Sequence, residues 1–564
     1  MSDQQNLILA IAISVAIIVG FQYFYPSKVE RDQARQQEIS EEAPAAPGEA
    51  AGVSSPDSTV PKAPTAGAAP EAERPRPAQP STAQLTAVPR VKIESPRLQG
   101  SISLTGGRLD DLTLVDYRQT TEPDSAEIAL FLPTGSASPY FAEFGWIAQD
   151  GVVKVPGPET PWRADSRELT PERPVTLTWD NGQGLRFVRT YALDYNYMFT
   201  VTQRVENRGK DPVTLYPYGL VSRTGTPKTL GFFILHEGPL GVFNGTLEEK
   251  DYDDLQDAGA ITQSTRGGWI GITDKYWLAA LAPDQKQKVE TRFLHTLAGD
   301  TDKYQVDYRG EGRILAPGAN TENASYLFAG AKEVKLLDAY AKDLGIELFD
   351  RAIDFGLFYF ITKPIFYALA FFNEHLGNFG LAILLLTVMI KAAFFPLANK
   401  SYKAMGKMKK LQPQMMKLRD RFKEDRARMN QEIMALYKRE KTNPASGCLP
   451  MVIQIPVFFA LYKVLFVTIE MRHAPFFGWI EDLSARDPTS VFNLFGLLPF
   501  TLPDFLMLGA WPLIMGLSMF LQMRLNPQPA DPIQAKIFMF MPIMFTFILA
   551  PFPAGLVIYW AWNN

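Results

Sequence analysis

Phe379–Lys410 reads FGLAILLLTVMIKAAFFPLANKSYKAMGKMKK, and the change of character partway along it decides the architecture. Phe379–Ala398 is a 20-residue run with one charge, Lys391, long enough as a helix to cross about 30 Å of hydrocarbon. From Asn399 the composition inverts. Residues 399–441 hold 14 Lys or Arg against five acids, a net +9, so with −4 over the whole chain the remainder carries −13. A short loop this basic stays on the cytoplasmic side, and Phe379–Ala398 then enters from outside. Three more apolar runs follow, Leu449–Ile469, Leu502–Met523 and Ile537–Trp562. The last has 26 residues interrupted by Pro542, Pro551 and Pro553. It reads as one long span, or as one helix and the start of another cut off at Asn564. Whole-chain averages conceal all of this: a mean hydropathy of −0.07 with 46% hydrophobic and 21% charged residues over 564 positions would suit a soluble globular chain.

Toward the N-terminus, residues 357–372 carry seven aromatics around Lys363-Pro364. Sixteen residues broken by Lys-Pro make a poor span and a good interfacial helix. A buried core helix is the other reading, and a true span here would reverse the side on which everything before it lies. Residues 91–340 have period two. Val175, Leu177 and Trp179 alternate with Thr176, Thr178 and Asp180, and Asp180-Asn181-Gly182 signals a hairpin turn of the primed type. Leu185, Phe187 and Tyr191 share a face of the return strand, and Phe199, Val201 and Val205 one of the next. About 250 residues of this kind read as a large antiparallel β-sandwich. Residues 341–377 form a linker and the interfacial helix, and 378–564 the helical core. Residues 41–90, with 10 Pro and 13 Ala, cannot bury enough apolar surface to order themselves, so 26–90 is a disordered tether. Leu7–Tyr25, polar only at Gln22, lacks a basic leader and a cleavage site, so 1–25 reads as an uncleaved signal anchor. The whole is a polytopic α-helical membrane protein with a large extracytoplasmic antiparallel β-sandwich domain.

The sequence excludes much chemistry. One cysteine, Cys448, rules out a disulfide framework or a cysteine-built metal site. His236, His295, His375 and His473 are scattered, no phosphate-binding glycine loop or nucleophile elbow occurs, and the acidic balance argues against a general DNA binder. No metal and no cofactor is expected. The costly residue is Lys391. Seven residues from Ala398, it sits about 10 Å inside the span, where a charge costs roughly 2.5–3.5 kcal/mol. Either its stem snorkels outward or it faces a water-containing cavity. Thr387 lies one turn earlier on the same face, Gln454 adds an amide in the next run, and Tyr559 and Trp560 offer amphipathic rings; these favour the cavity. Lys463, near Glu470 at the outer end of its run, reads as snorkelling. In the basic loop, Met415, Leu418 and Phe422, then Met429, Ile433 and Leu436, fall at helical spacing on either side of Glu424-Asp425, which predicts a helical hairpin over 399–441. Its cationic face, Lys400, Lys403, Lys407, Lys409 and Lys410, is a topology determinant or a docking face for ribosomal RNA, an acidic partner or anionic lipid. Its methionines, among them Met405, Met408, Met416 and Met434, suit varied apolar guests or serve as core filler.

The stretch Asn443-Pro444-Ala445-Ser446-Gly447-Cys448-Leu449-Pro450, with Gln454, Pro456, Phe458 and Ala460-Leu461-Tyr462, resembles the YidC family of membrane-protein insertases. Phe552-Pro553-Ala554-Gly555-Leu556 and Tyr559 resemble the family's final-helix motif, and Leu411-Gln412-Pro413 and Ala435-Leu436-Tyr437-Lys438 its cytoplasmic hairpin. Gly268-Trp269-Ile270 and Tyr276-Trp277 resemble the large periplasmic domain of Gram-negative members. The resemblance implies a five-helix core with a hydrophilic groove open to cytoplasm and lipid, and makes 357–372 the interfacial helix. It aligns Lys391 with a groove arginine, Thr387 with a groove threonine, and Tyr559 and Trp560 with an aromatic pair that meets nascent chains. It further implies a multi-pass protein of the bacterial inner membrane, its N-terminus cytoplasmic and its β-domain periplasmic. The partners implied are nascent membrane proteins, the ribosome, the Sec translocon, the signal recognition particle pathway and membrane lipids. Two departures stand out: lysine keeps the charge of the arginine but loses its bidentate fork, and the last helix stops where the family's continues into a basic tail. The expected function is insertion of membrane proteins without covalent catalysis. A secondary transporter or channel would need internal repeats, which are lacking. A membrane-anchored envelope carbohydrate enzyme would need converging carboxylates in the β-domain, for which His236-Glu237 is a weak start.

Overall fold

The computed structural model describes residues 88–149, 151, 153–229, 235–422, 425–440, 449–498, 507–525 and 532–564. The expected anchor at Leu7–Tyr25, nearly all of the tether and the stretch Asn443–Cys448 lie outside the described residues. The chain divides into two compact units. The larger takes in the described chain up to Met389 together with Ile455–Met519 and Pro542–Asn564; the other holds Ile390–Gln454 and Phe520–Met541.

In the larger unit, strands from Arg90 to Ala331 build two sheets, one of 11 strands and one of nine among the described residues. Pairing is antiparallel except where Arg90–Glu94 runs beside Glu168–Leu169. Val175–Asp180 pairs with Leu185–Leu193 from Val175↔Tyr191 to Asp180↔Arg186. The turn between them is longer than the two residues of a primed hairpin. Asn181 instead closes a four-residue loop, its side-chain oxygen accepting from the Gln183 and Leu185 N–H groups at 2.8 and 3.0 Å. Gly182 and Gly184 take φ of 73° and 92°, which few other residues tolerate.

The alternation turns every second side chain of Leu185–Leu193 inward, and the two sheets meet across this layer. Phe144 of the larger sheet meets Tyr191 of the smaller edge-on at 6.4 Å, and Phe293 meets Phe243 at 5.7 Å. One inward position holds a cation. Arg189 is 2% exposed, donates to the carbonyl oxygens of Phe144 and, at 2.9 Å, Gly107, and lies 4.6 Å from the Trp162 ring centre. An arginine thus links the smaller sheet to the backbone of the larger.

One helix, α1 (Tyr252–Ala258), is inserted between strands; after the last strand come α2 (Val334–Asp343), α3 (Tyr359–Leu376), α4 (Phe379–Arg421), α5 (Arg426–Arg439), α6 (Leu449–Val467), α7 (Ala510–Leu525), α8 (Pro532–Leu549) and α9 (Ala554–Asn563). The aromatic segment 357–372 falls in α3, which ends on Gly377 at φ 66°, its N–H donating to Asn373 O at 2.8 Å. Helix α4 is continuous from the apolar run into the basic one and is, among the described residues, the helix long and apolar enough to cross a membrane by length and composition. The final apolar run is two helices. Pro551 and Pro553 interrupt it, and Pro553 precedes the first residue of α9.

The β-region is fastened to the helices within the larger unit. Lys363 on α3 pairs with Asp338 on α2 at 2.7 Å and with Asp350 at 2.8 Å. Lys463 on α6 does not extend freely past the helix end: it pairs with Asp354 at 2.8 Å, a partner too distant in sequence for the local pattern to suggest. Lys275 in the loop between two strands sits 3.9 Å from the centre of the Phe466 ring of α6, and burial brings its ammonium pKa down to about 8. Arg472 donates to the carbonyls of Arg118 and Gln119 and lies over the rings of Tyr276 and Trp277. Glu470, just beyond α6, accepts from the Val334 N–H at 3.0 Å, where α2 begins. Its Oε2 is enclosed without a hydrogen-bond partner, and burial pushes its carboxyl up to about 7 against that hydrogen bond.

Replacing Arg189 by alanine takes a charged donor from two carbonyls, of which that of Gly107 keeps the Tyr191 hydroxyl at 2.9 Å, and empties a packed volume, so it should destabilise the β-domain by about 3–5 kcal/mol. Denaturant unfolding of the full-length protein in detergent measures this, and a loss below about 1 kcal/mol would show that the two carbonyls are satisfied otherwise. Glu470 holds its proton more tightly folded than unfolded. Its contribution is therefore complete below its ordinary value of 4.5 and is lost as pH rises through about 7. The thermal midpoint should fall as pH rises from 4.5 to about 7, and Glu470→Gln should flatten that fall. An equal slope in the two proteins would contradict the assignment.

Candidate functional site among the apolar helices

Thr387 and Lys391 lie one turn apart on α4, about 6 Å along its axis. Thr387 is 3% exposed and packs beside buried Ile383 and Leu386. Its hydroxyl donates to the Ile383 carbonyl at 2.7 Å, the usual way a threonine satisfies its donor inside a helix. Lys391 is exposed, as are Ala392 and Ala393 beside it. Thr387 falls in the larger compact unit with Tyr559 and Trp560, whereas Lys391 and Gln454 fall in the other. Three of the five sequence-selected residues thus fall in one unit and two in the other, and within the larger unit an aromatic surface surrounds Trp560.

Trp560 on α9 stacks on Phe458 of α6 with ring centres 5.1 Å apart and planes at 20°. Phe458 stacks in turn on Tyr462, and Tyr462 on Phe466 at 5.7 Å and 14°. Phe552, in the break before α9, meets both Tyr462 and Trp560. Four rings along two helices make a ladder whose spacing matches stacked aromatic pairs. Tyr559 points the other way into the packed interior and is 1% exposed. Trp560 is half-buried and so presents part of its ring outward, while Tyr559 serves packing.

The second unit carries the basic face. Lys400, Lys403, Lys407, Lys409 and Lys410 are all exposed along α4, whereas Ser401 and Leu411 are buried. Helix α5 folds back beside it. Tyr437 donates to the Met415 sulfur at 3.3 Å, and Asp425 starts α5 by accepting from the Arg428 N–H at 3.0 Å. Met416 and Met434 remain exposed. The arrangement offers a cationic, adaptable surface.

Elsewhere the candidates for catalysis are used locally. His236 lies 3.1 Å from the Pro239 carbonyl and 3.3 Å from the Asp251 carboxylate, and Glu237 accepts from the Lys275 N–H. The sequence reading overlooked Asp487. This carboxylate, 3% exposed, accepts from the Trp479 indole, the Thr489 N–H and hydroxyl, and the Trp511 N–H at the start of α7. Asp-Pro-Thr-Ser is a recognisable capping composition, but the helix it caps begins more than 20 residues later, so only folding reveals the connection.

The chain is similar in sequence to known proteins along its whole length. The family model described as "YidC periplasmic domain" matches residues 90–368, and that described as "60Kd inner membrane protein" matches 371–564. "Membrane protein insertase YidC" of Methylobacterium nodulans is 52% identical over 576 residues, spanning 100% of this chain and 93% of that protein. The protein of the same name from Beijerinckia indica is 52% identical over 575 residues, spanning 100% and 94%. A crystal structure of an active YidC insertase with its first transmembrane domain resolved is 18% identical, covers 84% of this chain and 92% of its own, and superposes with a TM-score of 0.33. By its two family domains and its full-length relatives, the chain belongs to the YidC family of membrane protein insertases, proteins of the inner membrane.

Proposed function

We propose that this protein inserts nascent membrane proteins by giving their polar segments a hydrated, cationic resting place within an apolar helix array, with no covalent step. The single observation that carries this reading is a lysine one turn from a buried threonine in the apolar stretch of α4. A charge is retained there at a cost of a few kcal/mol, and that cost is repaid if the charge meets an anionic guest where the local dielectric is low. A substrate's short acidic tail pauses at Lys391, with Gln454 and Trp560 as further contacts on the family resemblance, while Thr387 and Tyr559, both buried, act through the packing of their helices. Its apolar segment meanwhile moves along aromatic and methionine surfaces into lipid. Partition of that segment supplies the free energy, at roughly 25 cal/mol per Å² of apolar surface removed from water.

In this reading the protein is multi-pass, the N-terminus and the α4–α5 hairpin lie in the cytoplasm and the β-domain in the periplasm, as the basic loop favours. The exposed lysines of α4 face the ribosome, with the Sec translocon and the signal recognition particle pathway as further routes of delivery, and with anionic lipid as a second surface for the same charges.

Lys391→Ala should reduce insertion of a single-span reporter with an acidic tail several-fold, scored by protease protection in inverted vesicles, and Lys391→Arg should restore it. Equal insertion by the alanine variant would remove the electrostatic role. Replacing Lys400, Lys403, Lys407, Lys409 and Lys410 together by glutamine should weaken ribosome co-sedimentation and flatten its salt dependence. An unchanged salt slope would confine the five lysines to setting topology.

A further inference from the structure

Between α6 and α7 the chain makes an excursion whose first residues, Glu470 and Arg472, meet the β-domain and whose later part, from Asp487, serves neither that joint nor the proposed groove. Its base is rigidly held. Asp487 binds four donors, the Trp511 N–H among them at 2.8 Å. Thr489 Oγ1 accepts from the Ala510 N–H at 3.0 Å, and the Val491 N–H donates to Leu508 O at 2.9 Å. From this base the segment Val491–Leu498 projects as a tight loop closed on itself. The Phe495 N–H donates to Ser490 O at 2.7 Å, and the Leu498 N–H to Asn493 O at 3.1 Å.

The tip is apolar and outward. Phe492, Leu494, Phe495 and Leu498 are each about half exposed, and Leu497 is 81% exposed. No charged residue occurs from Pro488 to Leu498. Leu494 and Phe495 are consecutive left-handed residues, at φ 51° and 58°, a conformation that is sterically costly for an L-residue with a side chain. A chain in water would bury these side chains, and it would place glycine or asparagine at such angles. Here the strain and the exposure coincide.

We propose that Val491–Leu498 is a wedge inserted among the lipid acyl chains of the leaflet at which α6 ends and α7 begins. This rests on reading α6 and α7 as membrane spans. The argument for lipid is the chain around it: the tip lies between two apolar helices, α6 and α7, that themselves expose Phe459, Ile514 and Leu517, in a family of inner-membrane proteins. Phe477 and Trp479, also exposed, stand on the same loop, where aromatic rings favour the headgroup level. The Asp487 anchor keeps the tip from collapsing onto the protein, so the membrane is locally occupied by protein side chains next to the helix pair.

The test is spin-label accessibility in the full-length chain, in a Cys448→Ser background, reconstituted in vesicles of phosphatidylethanolamine and phosphatidylglycerol. Labels are placed singly at Leu497→Cys, at Leu517→Cys on α7 and at Leu297→Cys on the β-domain. The wedge requires position 497 to resemble 517, with oxygen relaxing it several-fold more than a water-soluble nickel chelate does. Nickel access at 497 equal to that at 297, with 517 shielded, would overturn the wedge and leave the spans standing. Shielding of 497 from both reagents would also overturn it, by assigning the tip to a protein partner or a second copy. Nickel access at 517 would overturn the reading of α7 as a span and the wedge with it.

Discussion

Hydrocarbon offers no hydrogen-bond partner, and the helical half of this chain is organised around that constraint. A helix satisfies its own backbone except over its first N–H and last C=O groups. The ends must therefore be served by other parts of the protein. Asp487 and Thr489 serve the start of α7. The carbonyls of Ala485 and Leu483 take the Ala554 and Gly555 N–H groups at the start of α9. The same loop, residues 483–489, thus supports two helix starts from opposite sides. Within α4, Thr387 returns its hydroxyl to its own helix. What remains polar and unabsorbed in the apolar stretch of α4 is the charge of Lys391, which is why that residue carries the functional argument.

The same constraint explains why the β-domain is fastened to the helices by charges and rings. Lys275 against Phe466, Arg472 against Tyr276 and Trp277, Lys463 with Asp354, and Glu470 with the Val334 N–H all lie close to the C-terminal end of α6. A cation over an aromatic face keeps part of its attraction when water is excluded. This is also a region where one carboxyl is pushed to about 7 and one ammonium to about 8, so the joint is assembled from groups whose charge is costly to bury. The motif Tyr276-Trp277, chosen from the sequence only as a family feature, turns out to supply two of its rings.

Much of the architecture was legible before folding because hydrophobic periodicity is a local property. The two-residue alternation from Val175 onward, the break at Pro551 and Pro553, and the apolar run that begins at Phe379 each follow from neighbours within a few positions. The turn at Asn181 was legible as a turn, but its length was not, because the second glycine at Gly184 and the side-chain closure by Asn181 act together. Arg189 escaped notice for a related reason. Period two assigns it to the inward face, yet charge argues for the outward one, and only the carbonyls of Gly107 and Phe144 on the opposite sheet settle the conflict. Lys463 was misjudged because its partner lies more than 100 positions away.

Legible from the sequence alone are the apolar stretches, the inward faces of the strands around Leu177, Phe187 and Val201, the asymmetry of charge around 399–441 and the family to which the chain is similar. These depend on composition and short-range spacing. Only the tertiary structure decided that Trp560 stacks on Phe458, that Asp487 caps a helix 23 residues away in the chain and that Leu494 and Phe495 are held outward in a left-handed turn. The physical reason is that hydrogen bonds and ring stacking require particular atoms at particular distances, and a chain brings such atoms together only once its apolar segments have packed.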